Sequence, residues 1–154
     1  MDVILIAAIS QDGYIAHHSQ EKITWSKDLY LFKKQTMGWP VIMGSNTFGC
    51  IQKELKGRDI IVAHRNDDPG EVLAKLNSKK CFIAGGGKTN ARFSPYLTHL
   101  YITPHPLIFG DGVQLFFEKP CKMDLILEST VPIKGEKFLY QFQYRVNSDL
   151  RHNT

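Results

Sequence analysis

"CFIAGGGKTNARF" (81–93) runs an apolar segment into three consecutive glycines and then into residues able to open a helix. Glycines between the end of a strand and the start of a helix suit a phosphate, because bare N–H groups and the positive end of the helix dipole both point at it. A tight turn that needs positive φ angles selects glycine equally well. Gly85, Gly86 and Gly87 alone leave both readings open, and the rest of the chain has to decide.

Outward from this stretch, short apolar runs recur as "VILIAAI" (3–9), "PVIMG" (40–44), "DIIVAH" (59–64) and "HLYITP" (99–104). The first three of these and "CFIAG" (81–85) are continuous and rich in β-branched residues, as strands covered on both faces are. Helix-like segments lie between them. "SKDLYLFKKQTM" (26–37) offers Ser26 as an N-cap and sets Leu29, Phe32 and Met37 near one face. "DPGEVLAKLN" (68–77) has Pro69 near a helix start and Val72, Leu73 and Leu76 at helical spacing. Strands alternating with short helices predict a largely parallel α/β sheet with helices on both faces. Further on, "DLILESTVPI" (124–133) and "KFLYQFQYRV" (137–146) alternate apolar and polar residues around "KGE", which reads as an antiparallel hairpin at the sheet edge. The expected fold class is a single-domain mixed α/β sheet, parallel at its centre, with a C-terminal antiparallel hairpin. Ligands of such sheets bind beyond the carboxyl ends of the strands. That rule gathers "AISQDG", "GSNTF", "AHR", "AGGGK" and "TPHP" around one cleft.

The length of 154 residues suits one domain, expected over 1–147, with a flexible tail at 148–154. The composition, 43% hydrophobic and 22% charged, is that of an ordinary globular protein and argues against a disordered or fibrous chain. "VILIAAI" is far too short to span a bilayer, so no membrane partner and a cytoplasmic location are expected. Cys50, Cys81 and Cys121 are too widely spaced for a disulfide framework or a CxxC metal site, and their default role is buried packing. The net charge of +4 is scattered along the chain, which does not indicate nucleic acid but suits a small polyanion such as a dinucleotide. His17 and His18 adjoin without a third ligand nearby, and no metal is expected.

Five ordered motifs, "LIAAISQDGYIA", "DLYLFKKQTMGWPVIMGSNTF", "LKGRDIIV", "IAGGGK" and "LYIT", resemble the dihydrofolate reductase family over roughly the first hundred residues. "SQDGYIA" and "PLIFGDGVQLF" also look like a neighbouring branch, the reductase domain of riboflavin biosynthesis. Both branches imply the same fold and hydride transfer from a nicotinamide cofactor to a nitrogen heterocycle. The primary expectation is NADPH-dependent reduction of dihydrofolate. The alternative is a riboflavin-type reductase of a ribosylaminopyrimidine phosphate, and a catalytically idle nucleotide-binding module is the rival outside enzymes. The first branch implies a monomer and the second a homodimer.

The resemblance also assigns residues. Asp28 matches the substrate carboxylate, which can pair with the N–C–N edge of a pterin and help supply a proton, with Thr103 fixing it. Helix-capping by Asp28 is the bland alternative. Ile6, Ala7 and Phe32 would face the flat ring, Ile51 and Leu55 would clamp the aminobenzoyl ring, and Arg58 would hold the carboxylate of the glutamate tail. On the cofactor side Ala8, Ile15, Ala16 and Ala84 would flank the nicotinamide. Gly85 and Gly86 would be joined by a cis peptide and, with Gly87, Lys88 and Thr89, receive the ribose and pyrophosphate. Gly44, Ser45, Asn46 and Thr47 would form a second helix start against the pyrophosphate. Ser45 replaces a basic residue common in the family, so preference for NADPH falls to His64 and Arg65, supported by Lys88. The loop "HHSQEKITW" (17–25) lacks the family's Met-Pro-Trp, and Trp25 is the candidate lid aromatic.

Overall fold

The computed structural model describes residues 1–51 and 55–148. The expected tail lies, from residue 149 on, outside the described residues. The elements are β1 (Asp2–Ile9), β2 (Tyr14–Ala16), α1 (Leu29–Thr36), β3 (Pro40–Gly44), α2 (Ser45–Ile51), β4 (Asp59–Ala63), α3 (Pro69–Ala74), β5 (Lys80–Ile83), α4 (Gly87–Phe93), β6 (His99–Pro104), β7 (Val113–Gln114), β8 (Leu125–Pro132) and β9 (Tyr140–Val146). The main sheet has the order β4-β3-β5-β1-β6-β9-β8. Its first five strands are parallel, and β8 and β9 add the antiparallel hairpin at one edge. The expected fold class is the observed one.

Alternation along the central strands splits the core into two layers, since successive side chains point to opposite faces. Val3, Leu5, Ile42, Cys81 and Ile83 pack with Leu73 of α3 and Phe93 of α4. Ile4, Ile6, Val41, Met43 and Phe82 pack on the other face, against Phe32 of α1 and Phe48 of α2. Leu5, Val41, Ile42 and Met43 are fully excluded from solvent. Truncating one such residue to Ala costs about 2–5 kcal/mol, because the cavity left behind collapses only in part.

Four local expectations change. Helix α1 starts at Leu29 and not after Ser26, and its N-cap residue is Asp28. Leu31, not Leu29 or Met37, is its deeply buried apolar residue, packed on Ile133 and Leu139 of the hairpin turn, while Leu29 and Met37 stay exposed. Strand β4 is an edge strand and only half-buried, although its continuous apolar run suggested cover on both faces. Of the cysteines only Cys81 is buried; Cys50 and Cys121 are half-exposed free thiols. The two-stranded sheet of β2 and β7 carries no clear signal in the sequence, because strands of three and two residues are too short to show a period.

Candidate active site

A cavity of about 680 Å³ opens at the carboxyl ends of the parallel strands. The head of α1, with α2, forms one wall. Asp28 is 8% exposed and makes no side-chain bond to the helix it precedes. It is therefore not spent as a helix cap. Burial pushes its carboxyl above the ordinary aspartate range, and that effect outweighs the pull of the Thr103 hydroxyl in the other direction. Thr103 is fully buried behind it. Its Oγ1 lies close enough to act on the Asp28 carboxyl, yet makes no hydrogen bond of ordinary geometry within the chain. Thr103 thus backs the carboxyl without reaching the cavity wall. Ile6, Ala7, Phe32, Ile51 and Leu55 complete an apolar surface around Asp28, and Cys50 joins it.

Arg58 stands apart from this wall. Its guanidinium donates to the carbonyls of Lys33 and Lys56 and, from Nε at 3.1 Å, to Thr36 Oγ1. Three of the five N–H groups a guanidinium carries are used in these bonds, two of which tie the β3–β4 connection to the end of α1. One N–H on each terminal nitrogen is left over from those bonds. Arg58 is not among the residues that line the cavity.

The opposite wall is mostly backbone. Gly85 and Gly86 are joined by a cis peptide, as the resemblance implied. Gly85 has φ +89°, which only glycine adopts readily. At Gly87 a Cβ would come within 2.5 Å of the Gln114 carbonyl. The glycines at 85 and 87 are thus demanded by the protein's own backbone. At Gly86 a Cβ would meet only the Thr47 hydroxyl, at 3.5 Å, so that position borders open space in the cavity. Asn90, 1% exposed, holds this turn by accepting from the Gly85 N–H at 3.1 Å and donating to the Leu115 carbonyl at 2.9 Å. Ala8, Ile15, Ala16 and Ala84 line the middle of the cavity. Gly44, Ser45, Asn46 and Thr47 line it at the head of α2, as do Lys88 and Thr89 at the head of α4.

At the cationic end, Arg65 and Lys88 line the cavity and His64 does not. The His64 backbone is engaged instead: its N–H donates to Asp67 Oδ2 at 2.7 Å and its carbonyl accepts from Arg92. Arg92, which sequence reasoning passed over, also reaches the cavity wall, and its guanidinium bonds the Asp67 carbonyl as well. An arginine in the last turn of a helix reads as an ordinary dipole complement, so nothing local marked it.

The loop from residue 17 to 25 closes the front. Glu21 accepts from the His17 N–H at 2.9 Å and contacts the His17 ring at 2.6 Å, while that ring stacks on Phe109 at 3.8 Å. Burial pulls the Glu21 pKa up, but its bonds to His17 prevail and hold it below the usual glutamate value. Trp25 lines the cavity and packs edge-on against both His105 and Phe109. Behind this loop, Asp12 accepts from the Ser10 hydroxyl at 2.6 Å and from the backbone N–H groups of Phe109 and Gly110, which depresses its pKa to about 2. The "SQDGYIA" and "PLIFGDGVQLF" stretches are therefore the two sides of one clasp. Among the described residues no group of His, Cys, Asp and Glu is placed to hold a metal ion.

Fold and site together define a mixed α/β protein with a cleft in which a glycine backbone wall faces a buried acid. A family model described as dihydrofolate reductase matches residues 2–112. Dihydrofolate reductase type 3 of Salmonella typhimurium is 33% identical over 117 residues, covering 67% of this chain and 71% of that protein. The dihydrofolate reductase of Buchnera aphidicola is 30% identical over 96% of this chain and 99% of its own. The chain belongs to the dihydrofolate reductase family and is an oxidoreductase. Two solved structures share the fold. Dihydrofolate reductase of Enterococcus faecalis, complexed with NADP(H) and RAB-propyl, has a TM-score of 0.73 at 21% identity, over 95% of this chain and 96% of that one. A riboflavin biosynthesis protein of Shewanella sp. PV-4 has a TM-score of 0.64 at 20% identity, over 96% and 99%.

Proposed function

We propose that the protein reduces 7,8-dihydrofolate to 5,6,7,8-tetrahydrofolate with NADPH. One observation carries this reading above the others: a buried carboxyl, free of any capping duty, shares a single cavity with the glycine wall. NADPH would supply the hydride, passed from C4 of its nicotinamide to C6 of the pterin. The residues present fit such a cofactor, because the open space at Gly86 is a cradle that a side chain would fill, and Arg65 and Lys88 offer two cations for its phosphates. Asp28 would accept hydrogen bonds from the N–C–N edge of the pterin, and N5 would take its proton from water admitted beside Asp28. Ile6, Ala7 and Phe32 would bracket the ring, since most of the rate comes from holding donor and acceptor in contact. Arg58 would take the tail carboxylate with the N–H groups its structural bonds leave over.

A ribosylaminopyrimidine phosphate is the second reading, favoured by the clasp of "SQDGYIA" on "PLIFGDGVQLF". The protein would work as one domain in the cytoplasm, as a monomer or homodimer. Among the described residues no helix is long and apolar enough to cross a membrane. Loss of the near-ultraviolet absorbance of NADPH tests the reading. Oxidation is expected with dihydrofolate and not with the pyrimidine phosphate; the opposite order gives the site to the second reading.

A further inference from the structure

His105 is 1% exposed and sits just past β6, between Pro104 and Pro106. Both of its ring nitrogens are engaged. Nε2 accepts from the backbone N–H of Lys27 at 3.0 Å, and Nδ1 lies 2.9 Å from the Thr103 carbonyl. A carbonyl can only accept and an N–H can only donate, so the ring carries its proton on Nδ1 and is neutral. An imidazolium would aim a second proton from Nε2 at the Lys27 N–H, donor against donor. The ring is fixed from further sides: its own backbone N–H donates to the Ile9 carbonyl at 2.7 Å, and Trp25 packs on it edge-on at 5.2 Å. The ionisable group set against it is the Asp28 carboxyl.

The residue His105 holds is the one immediately before Asp28. Asp28 has no side-chain bond to its helix, so the course of the backbone at Lys27 decides where the carboxyl points. The end of β6 therefore acts on Asp28 twice, through Thr103 behind its carboxyl and through His105 on the backbone N–H of the preceding Lys27. We infer that His105 is a positioning residue, whose neutral ring sets the orientation of the Asp28 carboxyl through the Lys27 N–H. This deepens the proposed reduction and rests on it for its effect on rate. It also makes a claim about Asp28 that holds whatever the substrate is.

Two amides separate the two bonds of the ring. Gln at position 105 can place its carbonyl where Nε2 is and keep the Lys27 bond, whereas Asn reaches only as far as Nδ1 and loses it. The midpoint of Asp28, followed by carboxyl-carbon NMR, and turnover with NADPH and dihydrofolate are read across pH for the wild type, His105→Asn and His105→Gln. His105→Asn is expected to lower turnover by about tenfold, as a misplaced acid does. It should also bring the Asp28 midpoint down toward the ordinary carboxylate value, because the freed carboxyl gains water. His105→Gln should stay close to the wild type in both readouts. Lys27→Pro, which deletes the donor from an exposed residue, should repeat the Asn result and replaces it if that variant does not fold. Equal behaviour of Asn and Gln variants, or an unmoved Asp28 midpoint in both His105→Asn and Lys27→Pro, overturns the inference. A wild type without turnover on dihydrofolate, but with the midpoint shift in place, overturns the proposed substrate and leaves the role of His105 standing.

Discussion

On the α1 side of the cleft, recognition is left to side chains: the Asp28 carboxyl, the Thr103 hydroxyl behind it and the Phe32 ring, each set by burial and by neighbours from other elements. On the α4 side it is left to backbone. Gly85 through Gly87 line the cavity with main chain; Asn90 holds that main chain, and Thr47 and Phe117 border it. The contrast teaches where each half is open to change. A side-chain wall can be altered by one substitution without disturbing the fold. A backbone wall pinned at Gly85 by φ and at Gly87 by the Gln114 carbonyl cannot be altered so at those two positions.

The largest effect belongs to the first wall. Asp28→Asn should fold and should lower turnover by roughly 10²–10⁴, the range for one well-placed acid or base. The deficit should narrow as pH falls, because substrate that is already protonated needs the carboxyl less. Turnover within a factor of about two of the wild type at neutral pH would remove the distinction between the two walls.

A smaller effect is expected where a side chain serves the backbone wall. Arg65 lines the cavity, and the nearby Arg92 guanidinium is already bonded to the carbonyls of His64 and Asp67. Arg65→Ala should weaken NADPH by about tenfold, the worth of one charge-assisted pair, and leave NADH almost unchanged. Titration of both cofactors into the variant checks it; an equal loss for the two would place Arg65 in the fold and not on a phosphate.

How far the sequence could be read differs between the same two walls. The parallel core was legible because "VILIAAI", "PVIMG" and "CFIAG" are apolar runs with turn signals between them, and burial on both faces leaves such runs no other use. The cavity-lining positions of Phe32, Thr47 and Gly86 followed from motifs fixed in order along the chain. Arg58 shows the limit. Its spacing matches the family, but its three bonds to Lys33, Lys56 and Thr36 depend on where α1 ends, which no local pattern states. His64 shows another, since a residue at a strand end can turn its backbone or its side chain to the cleft. Asn90 and His105 were missed because a buried polar residue announces itself only through partners distant in sequence, here Leu115 and Lys27.

The smallest effect concerns stability, and it runs against activity. The Asp28 carboxyl is held above its ordinary value of 3.8 chiefly by burial, so the folded chain binds that proton more tightly than the unfolded chain does. Between 3.8 and the raised value the native state therefore carries more protons, and stability falls as pH rises through that window. Above it the fold bears the full cost of a buried charge. Asp28→Asn removes the charge and keeps the size, so it should raise the melting temperature at neutral pH, on the order of a few degrees for a domain of this length. The two proteins should converge as pH drops below 3.8, where Asp28 is neutral in both states. Asp12 supplies the opposite sign in the same molecule. Hydrogen bonds from Ser10, Phe109 and Gly110 hold it at about 2, so its contribution is present above the ordinary value and lost as pH falls through about 2. Asp12→Asn should therefore lower the melting temperature at neutral pH, and that loss should shrink on acidification. Melting curves of both variants across pH decide the matter. Two losses of the same sign would mean that burial does not govern Asp28, and the α1 wall would then be set by hydrogen bonding, as the clasp at Asp12 is.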